Sequence, residues 1–249
     1  MQDTTPIVNI QNHALQAMLI SSIETFPNSC MPKENGQRKH SKKDDKHDGE
    51  SLGLLFGQRM LRDNDFMVYN VTLAVTMQST ERTHSSVSWS DVRFERIKQI
   101  TQTFPELEFL GCFHSHPWAK ENFNGQATEP SEDDVHSSCM SALDCGTDVI
   151  EVILGLTVMK NHSYRNAKLD GHSIDSYCGK FKYRLSAYVT SGIYDLDKED
   201  EDDDELLDCD SETNDDTVDY SVLDELDATL KPVHKLICPL AAHGGDIYI

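Results

Sequence analysis

The chain has no apolar run of the roughly 18 residues that a transmembrane helix needs. Its first residues, "MQDTTPIVNI", lack the charged-then-apolar order of a signal peptide. Positive charge is scarce: 22 Lys and Arg stand against 43 Asp and Glu, for a net charge of −21. A field of that sign repels nucleic acid and anionic membranes, which argues against both as main partners and favours a basic or neutral protein. No Cys-x-x-Cys pair is present. The seven cysteines, at 30, 112, 139, 145, 178, 209 and 238, are odd in number and sit mostly among apolar neighbours, so no disulfide framework is expected. These absences lead us to expect a soluble, cytoplasmic protein in a reducing compartment.

A length of 249 residues is enough for one substantial core with appendages. In "NHALQAMLISSIETF", Leu15, Met18, Leu19, Ile23 and Phe26 recur at helical spacing from Asn12 to the stop at Pro27. Residues 33–49, "KENGQRKHSKKDDKHDG", are almost purely polar and read as an exposed loop. "SLGLLFG" and "FMVYNVTLAV" read as strands, the second with Met67, Tyr69, Val71, Leu73 and Val75 on one face. Behind a Ser90 cap, Phe94, Ile97, Ile100 and Phe104 form a second helical stripe. "LEFLGCFHSH" is a further strand, and "SEDDVHSSCMSAL" opens as a helix with a capping serine.

"DVIEVILGLTVM" suits a strand covered on both faces, whereas "FKYRLSAYV" alternates like a half-exposed one. Between Asp195 and Asp219 lie fifteen acidic residues and one lysine, too polar to fold alone. After this acidic linker or insert, "YSVLDELDATLK" reads as a short helix and "HKLICPL" as a short strand or docking segment. The expected organisation is a domain over residues 1–192 with a polar insert at 30–49, an acidic segment at 193–219, and a C-terminal helix and tail at 220–249.

The chemistry concentrates in "HSHPWAKENFNGQATEPSEDD", residues 114–134. On a strand, side chains two apart share a face, so His114 and His116 aim at one point, with Leu110 and Cys112 below them. In a chain with eleven histidines such a pair alone is a weak signal, equally compatible with ordinary surface or core histidines. The step Ser131-x-x-Asp134 strengthens it. A carboxylate in the first turn of a helix can point back at the strand, and two imidazoles with one carboxylate make the ligand set of a catalytic zinc with one open position. The same step is also a capping box, and both roles can hold together. Hydrolysis further needs a base. Glu50 stands where the polar loop meets the apolar strand in "GESLGLLFG", where desolvation raises a carboxyl pKa; an ordinary loop-end glutamate is the plain alternative.

"ESLGLLFG" resembles the Glu-x-x-Gly-x-Leu-x-Gly strand of the JAB/MPN/Mov34 (JAMM) metalloproteases, and "GCFHSHP" with "PSEDD" resembles their His-Ser-His-Pro and Ser-x-x-Asp signature. The likeness covers roughly residues 8–190, with the elements in the same order. It implies an α/β (α+β) fold, a curved mixed β-sheet flanked by helices with cytidine-deaminase-like layering. The implied activity is hydrolysis of isopeptide or peptide bonds after the C-terminal glycine of ubiquitin or a ubiquitin-like protein. His114, His116 and Asp134 would hold one Zn2+, Glu50 would activate the water, and Ser131 would donate a hydrogen bond to the oxyanion.

Two departures from the family pattern stand out. Asp134 follows His116 by eighteen residues instead of about eleven, so the loop from Trp118 to Pro130 is longer by roughly seven. A loop that bulges outward would leave the chemistry untouched; Asp133 as ligand would break the Ser-x-x-Asp register. The second departure is the basic insert before Glu50, either a solvated insertion or a flap that the acidic stretch engages. That acidic stretch is also a candidate surface for a regulatory protein partner. Cys112 reads as a small buried side chain before it reads as a fourth ligand. His136 points away from the site, Trp118 lines the channel or packs the loop, and Gly244-Gly245 is a tail turn. Competing functions are a sulfur-carrier-processing protease acting on small adducts and a non-catalytic MPN scaffold. A zinc deaminase is disfavoured because the chain lacks Cys-x-x-Cys.

Overall fold

The apolar strands pair edge to edge into one large mixed sheet. A computed structural model of the chain describes residues 5–31, 49–62, 66–77, 81–82, 87–88, 91–101, 103–163, 166–191 and 229–242. In chain order the elements are β1 (Thr5–Ile10), α1 (Asn12–Glu24), β2 (Leu52–Arg62), β3 (Phe66–Thr76), β4 (Glu81–Arg82), β5 (Val87–Ser88), α2 (Asp91–Thr101) and β6 (Glu108–Pro117). They continue with α3 (Glu132–Cys145), β7 (Ile150–Val158), β8 (Lys168–Asp170), β9 (Ser173–Cys178), β10 (Phe181–Ser191), β11 (Thr229–Pro232), β12 (Lys235–Ile237) and α4 (Pro239–Ala242).

The main sheet runs β12-β1-β3-β2-β6-β7-β10-β9-β8, with β11 paired to β10 beyond the end of β9. The β1–β12, β1–β3 and β6–β7 pairs are parallel and the other pairs antiparallel. The sheet curls until its ends approach. The Leu236 N–H on β12 donates to the Gly171 carbonyl between β8 and β9 (2.9 Å), and the His234 N–H donates to the Pro6 carbonyl (2.9 Å). Residues 229–242 are therefore part of the same fold. This corrects the expected C-terminal helix over its described part, where Thr229–Pro232 is a strand because it completes the free edge of β10.

Helix α1 fills the inside of the curl. Leu15, Met18 and Leu19 pack with Val8, Val71, Phe113, Leu154 and Leu236 in the main core. Fully burying a side chain such as Phe113 contributes about 1.5–3 kcal/mol by removing apolar surface from water. On the outer face, α2 and α3 cover smaller clusters built on Leu54, Phe56, Phe94 and Cys112, and on Cys139, Ala142 and Val149.

Two β-bulges decide which side chains reach which face. Against β2, Phe56 opposes Leu73 and Gly57 opposes Val71, leaving Thr72 unpaired. The alternation on β3 flips there: Tyr69 and Val71 face α1, whereas Leu73 and Val75 pack in the α2 cluster. The single-face reading of β3 is corrected accordingly. On β6, Leu55 opposes Gly111 and Phe56 opposes Phe109, so Leu110 is the extra residue. Leu110 then packs on the α1 side, and Phe109 takes the place below Cys112 that the simple alternation assigns to Leu110. Gly111 permits the bulge, since it has φ of 144° and a Cβ there would lie 1.9 Å from the Ile150 carbonyl oxygen.

Other expectations differ in detail. β1 pairs with β3 although no strand was read before α1. β10 is mostly buried, because β7 and β9 flank it and helices cover it. In the α2 stripe Phe94 is buried but Ile100 and Phe104 are exposed; Phe104 lies past the helix end at Thr101. Among the described residues no helix is long and apolar enough to cross a membrane, and none of the six described cysteines forms a disulfide. Ser90, Cys209, most of the polar insert, the acidic stretch and Gly244-Gly245 lie outside the described residues.

Candidate metal centre

β6 and β7 run parallel with Cys112 beside Glu151 and His114 beside Ile153. Cys112, His114 and Glu151 therefore share the outer face, which α3 covers from Ser131 onward. Ser131 is the N-cap of α3, with a full capping box: the Asp134 N–H donates to Ser131 Oγ (3.2 Å) and the Ser131 N–H donates to Asp134 Oδ2 (2.7 Å). The Ser131 hydroxyl also donates to Asp134 Oδ2 (2.8 Å). The cap occupies one carboxylate oxygen and leaves the other, Oδ1, 3.3 Å from His114 Nε2.

His114, His116 and Asp134 offer donor atoms that all lie within 4.8 Å of one another, so this group could hold a metal ion. The two Nε2 atoms are 3.0 Å apart, and His116 Nε2 lies 4.0 Å from Asp134 Oδ2. A tetrahedral ion with bonds of about 2.0–2.1 Å separates neighbouring donors by about 3.3 Å, so the spacing fits. Exposed Asp133, half-buried His136 and buried Cys112 all lie outside the group. Burial lifts the Cys112 thiol well above its usual range, in keeping with a small packed side chain.

The electrostatics set the two histidines apart: without a cation the cluster holds a proton on His114 and none to spare on His116. Burial, aided by the charge of His114, pushes His116 down to about 4, leaving a neutral imidazole with a free lone pair at neutral pH. Burial alone would also deprotonate His114, but Asp134 and Glu151 outweigh it and hold its pKa well above the imidazole range. Burial would raise Asp134, yet the His114 contact and the Ser131 cap hold it well below the carboxylate range. The buried Glu50 carboxyl moves the other way, pushed up to about 7 by desolvation, with His114 opposing and Asp134 adding to the shift.

Glu50 lies immediately before a buried hydroxyl chain that ties β2 to the histidine strand. The Ser22 and Ser51 hydroxyls are 2.7 Å apart, and the Ser51 hydroxyl and N–H both donate to Ser115 Oγ (3.0 and 2.9 Å). The Ser115 N–H returns a bond to the Ser51 carbonyl (2.9 Å). Ser115 stands between the two histidines, so this chain fixes the strand that follows Glu50 against the strand that carries the histidines. Glu50, His116 and Trp118 line a groove of about 510 Å³ with Pro117, Ala119 and Asn122.

The long loop is tied to the sheet at both ends, while residues 120–122 and 124–126 are exposed. Trp118 donates its N–H to the Leu156 carbonyl (2.8 Å) and its indole Nε1–H to the Ala127 carbonyl (3.1 Å). Thr128 and Ser186 join hydroxyls at 2.7 Å, and the Tyr188 hydroxyl donates to the Thr128 carbonyl (2.8 Å). Trp118 thus both packs the loop and lines the groove. The Ala127 carbonyl also faces the His116 ring and offsets a small part of its downward shift. Gly155 makes this approach possible, because a Cβ there would sit 2.7 Å from the Ala127 carbonyl oxygen.

Glu151 was missed in the sequence reading. It is 5% exposed, and its Oε1 lies 2.7 Å from His114 Nδ1. The signal that could have found it is a single charge within the apolar run Val149–Met159. Comparison of the chain with protein-family models and with curated proteins finds no match in either. Fold and site define a mixed α/β protein whose curled mixed sheet, flanked by helices, carries a cluster able to hold a metal ion.

Proposed function

We propose that the chain is a zinc-dependent isopeptidase or peptidase that cleaves after the C-terminal glycine of ubiquitin or a ubiquitin-like protein. The proposal includes an MPN-like fold with cytidine-deaminase-like layering. The observation that carries it is the convergence of three donors, His114, His116 and Asp134, beside a groove whose wall holds a buried carboxyl with a pKa of about 7. His114, His116 and Asp134 would hold a zinc ion, which when bound would supply Lewis acidity toward water and a carbonyl oxygen.

The remaining steps belong to the chain's own residues. Glu50 accepts a proton from the attacking water as its oxygen bonds to the scissile carbonyl carbon. It then gives that proton to the leaving amine nitrogen as the C–N bond breaks. A pKa of about 7 suits both transfers at neutral pH. Ser131 donates to the oxyanion once its hydroxyl turns from Asp134 Oδ2, which keeps the Ser131 N–H bond. The sheet of hydroxyl contacts through Ser51 and Ser115 holds Glu50 in register with the histidines during these transfers.

The test is to offer the protein an isopeptide-linked ubiquitin-like conjugate, a linear C-terminal fusion and a small-adduct conjugate, and to identify products by mass spectrometry. The expected product is the free modifier ending in glycine, formed in a reaction that a chelator stops and Glu50→Gln abolishes. Cleavage of the small adduct alone would favour the sulfur-carrier reading. Near-full activity of Glu50→Gln would contradict the assignment of the base.

A further inference from the structure

We infer that Glu151 is a positioning residue of the metal centre, one carboxylate that orients His114 through Nδ1 and holds α3, the helix carrying Asp134, in register with it. The argument starts from cost. Glu151 is the only charged residue between Val149 and Met159 and is 5% exposed, in a strand otherwise filled with core side chains. A buried carboxylate is tolerated only when its oxygens are bonded. Both are. Oε1 lies 2.7 Å from His114 Nδ1, and Oε2 accepts a hydrogen bond from the Ser138 hydroxyl (3.0 Å).

The two bonds reach two different elements, β6 and α3. An acceptor at Nδ1 keeps that nitrogen the donor, so a cation at the cluster has only the Nε2 side of the ring to take, in exchange for the proton there. Nε2 is the atom that lies 3.0 Å from His116 Nε2 and 3.3 Å from Asp134 Oδ1. Glu151 therefore selects the ring form that can bind a cation at the cluster. Ser138 follows Asp134 by four residues, one helical turn, so the two project from the same side of α3. Through Ser138 the carboxylate fixes the turn from which Asp134 reaches the histidines. With both oxygens engaged, Glu151 acts through His114 and α3 and is itself no ligand.

The inference rests on the proposed metal centre, and its test separates the two. Zinc affinity is measured for the full chain by competition with a chromophoric chelator, and the ligand-field spectrum is recorded with Co2+. The variants are Glu151→Gln, which keeps the size and removes the charge, and Ser138→Ala, which keeps the charge and cuts the tether to α3. Melting of the metal-free proteins reports folding separately. Glu151→Gln is expected to weaken zinc binding about 10–100-fold and to change the Co2+ spectrum, with Ser138→Ala shifting both in the same direction by less. A purely structural ion pair would move the melting temperature but neither metal readout. If the wild type binds zinc and Glu151→Gln matches it in affinity and spectrum, the inference falls and the metal centre stands. If Glu151→Gln does not fold, wild-type affinity and spectrum in Ser138→Ala overturn the inference. If the wild type binds no zinc, both fall.

Discussion

The two faces of β6 and β7 are built to different rules. Toward α1, Phe113, Ile150, Val152, Leu154 and Leu156 form an apolar layer, and the polar side chain of β6 on that face, Ser115, is bonded to Ser51. Toward α3, the same strands present Cys112, His114 and Glu151, buried but bonded or packed within a polar cluster. The first face supplies stability through buried area. The second spends some of that stability on fixed geometry, since each buried charge there needs a partner. The contrast separates residues whose loss should unfold the protein from those whose loss should only silence it.

The largest expected effect tests the polar face. His114→Ala or Asp134→Ala should lose both bound zinc and turnover, whereas Glu50→Gln should retain zinc and lose turnover by at least about 100-fold, the lower end for a general base. Metal analysis beside a cleavage assay reads both. On the apolar face, Phe113→Ala should cost about 3–5 kcal/mol in denaturant unfolding while the folded fraction still binds zinc. If zinc affinity fell in step with stability, the two faces would not be separable.

Glu50 gives a pH-dependent effect of the next size. Its folded pKa of about 7 lies above its ordinary 4.5, so the folded state binds that proton more tightly. Its contribution to stability is full below about pH 4.5 and is lost as pH rises through about 7. In metal-free protein, Glu50→Gln should match wild type near pH 4 and exceed it at pH 8 by an amount on the order of 3 kcal/mol. Equal stability at both pH values would mean that Glu50 is not desolvated. Gly155→Ala should cost about 1–3 kcal/mol, because the new methyl must displace the Ala127 carbonyl that accepts from the Trp118 indole beside His116. Thermal melting and zinc affinity should both fall; a change in melting alone would detach the loop from the metal centre. Smallest is Ser22→Ala, about 1 kcal/mol for the lost hydroxyl, which bonds the Met18 carbonyl and the Ser51 hydroxyl, read by denaturant titration.

The ligand cluster was legible in the sequence because its information is local. His114 and His116 are two apart on a strand, and Asp134 is fixed by its own cap, so short-range geometry brings the donors toward one point. Helices α1 and α3 were legible for the same reason. The bulges at Thr72 and Leu110 were not, since one extra residue reverses the alternation and only pairing with β2 reveals it. Leu110 was placed on the wrong face by that reversal. Glu151 and Ala127 were missed because their roles depend on contacts 37 residues away in one case and on a folded loop in the other. The closure of the sheet by β11 and β12 is likewise a long-range event, joining residue 229 onward to strands far earlier in the chain.

The most direct test of the central claim is zinc content and isopeptide cleavage measured on the same preparations of wild type and Glu50→Gln. The account predicts one zinc per chain in both and cleavage in the wild type alone. Wild-type protein that folds but takes up no zinc would contradict it.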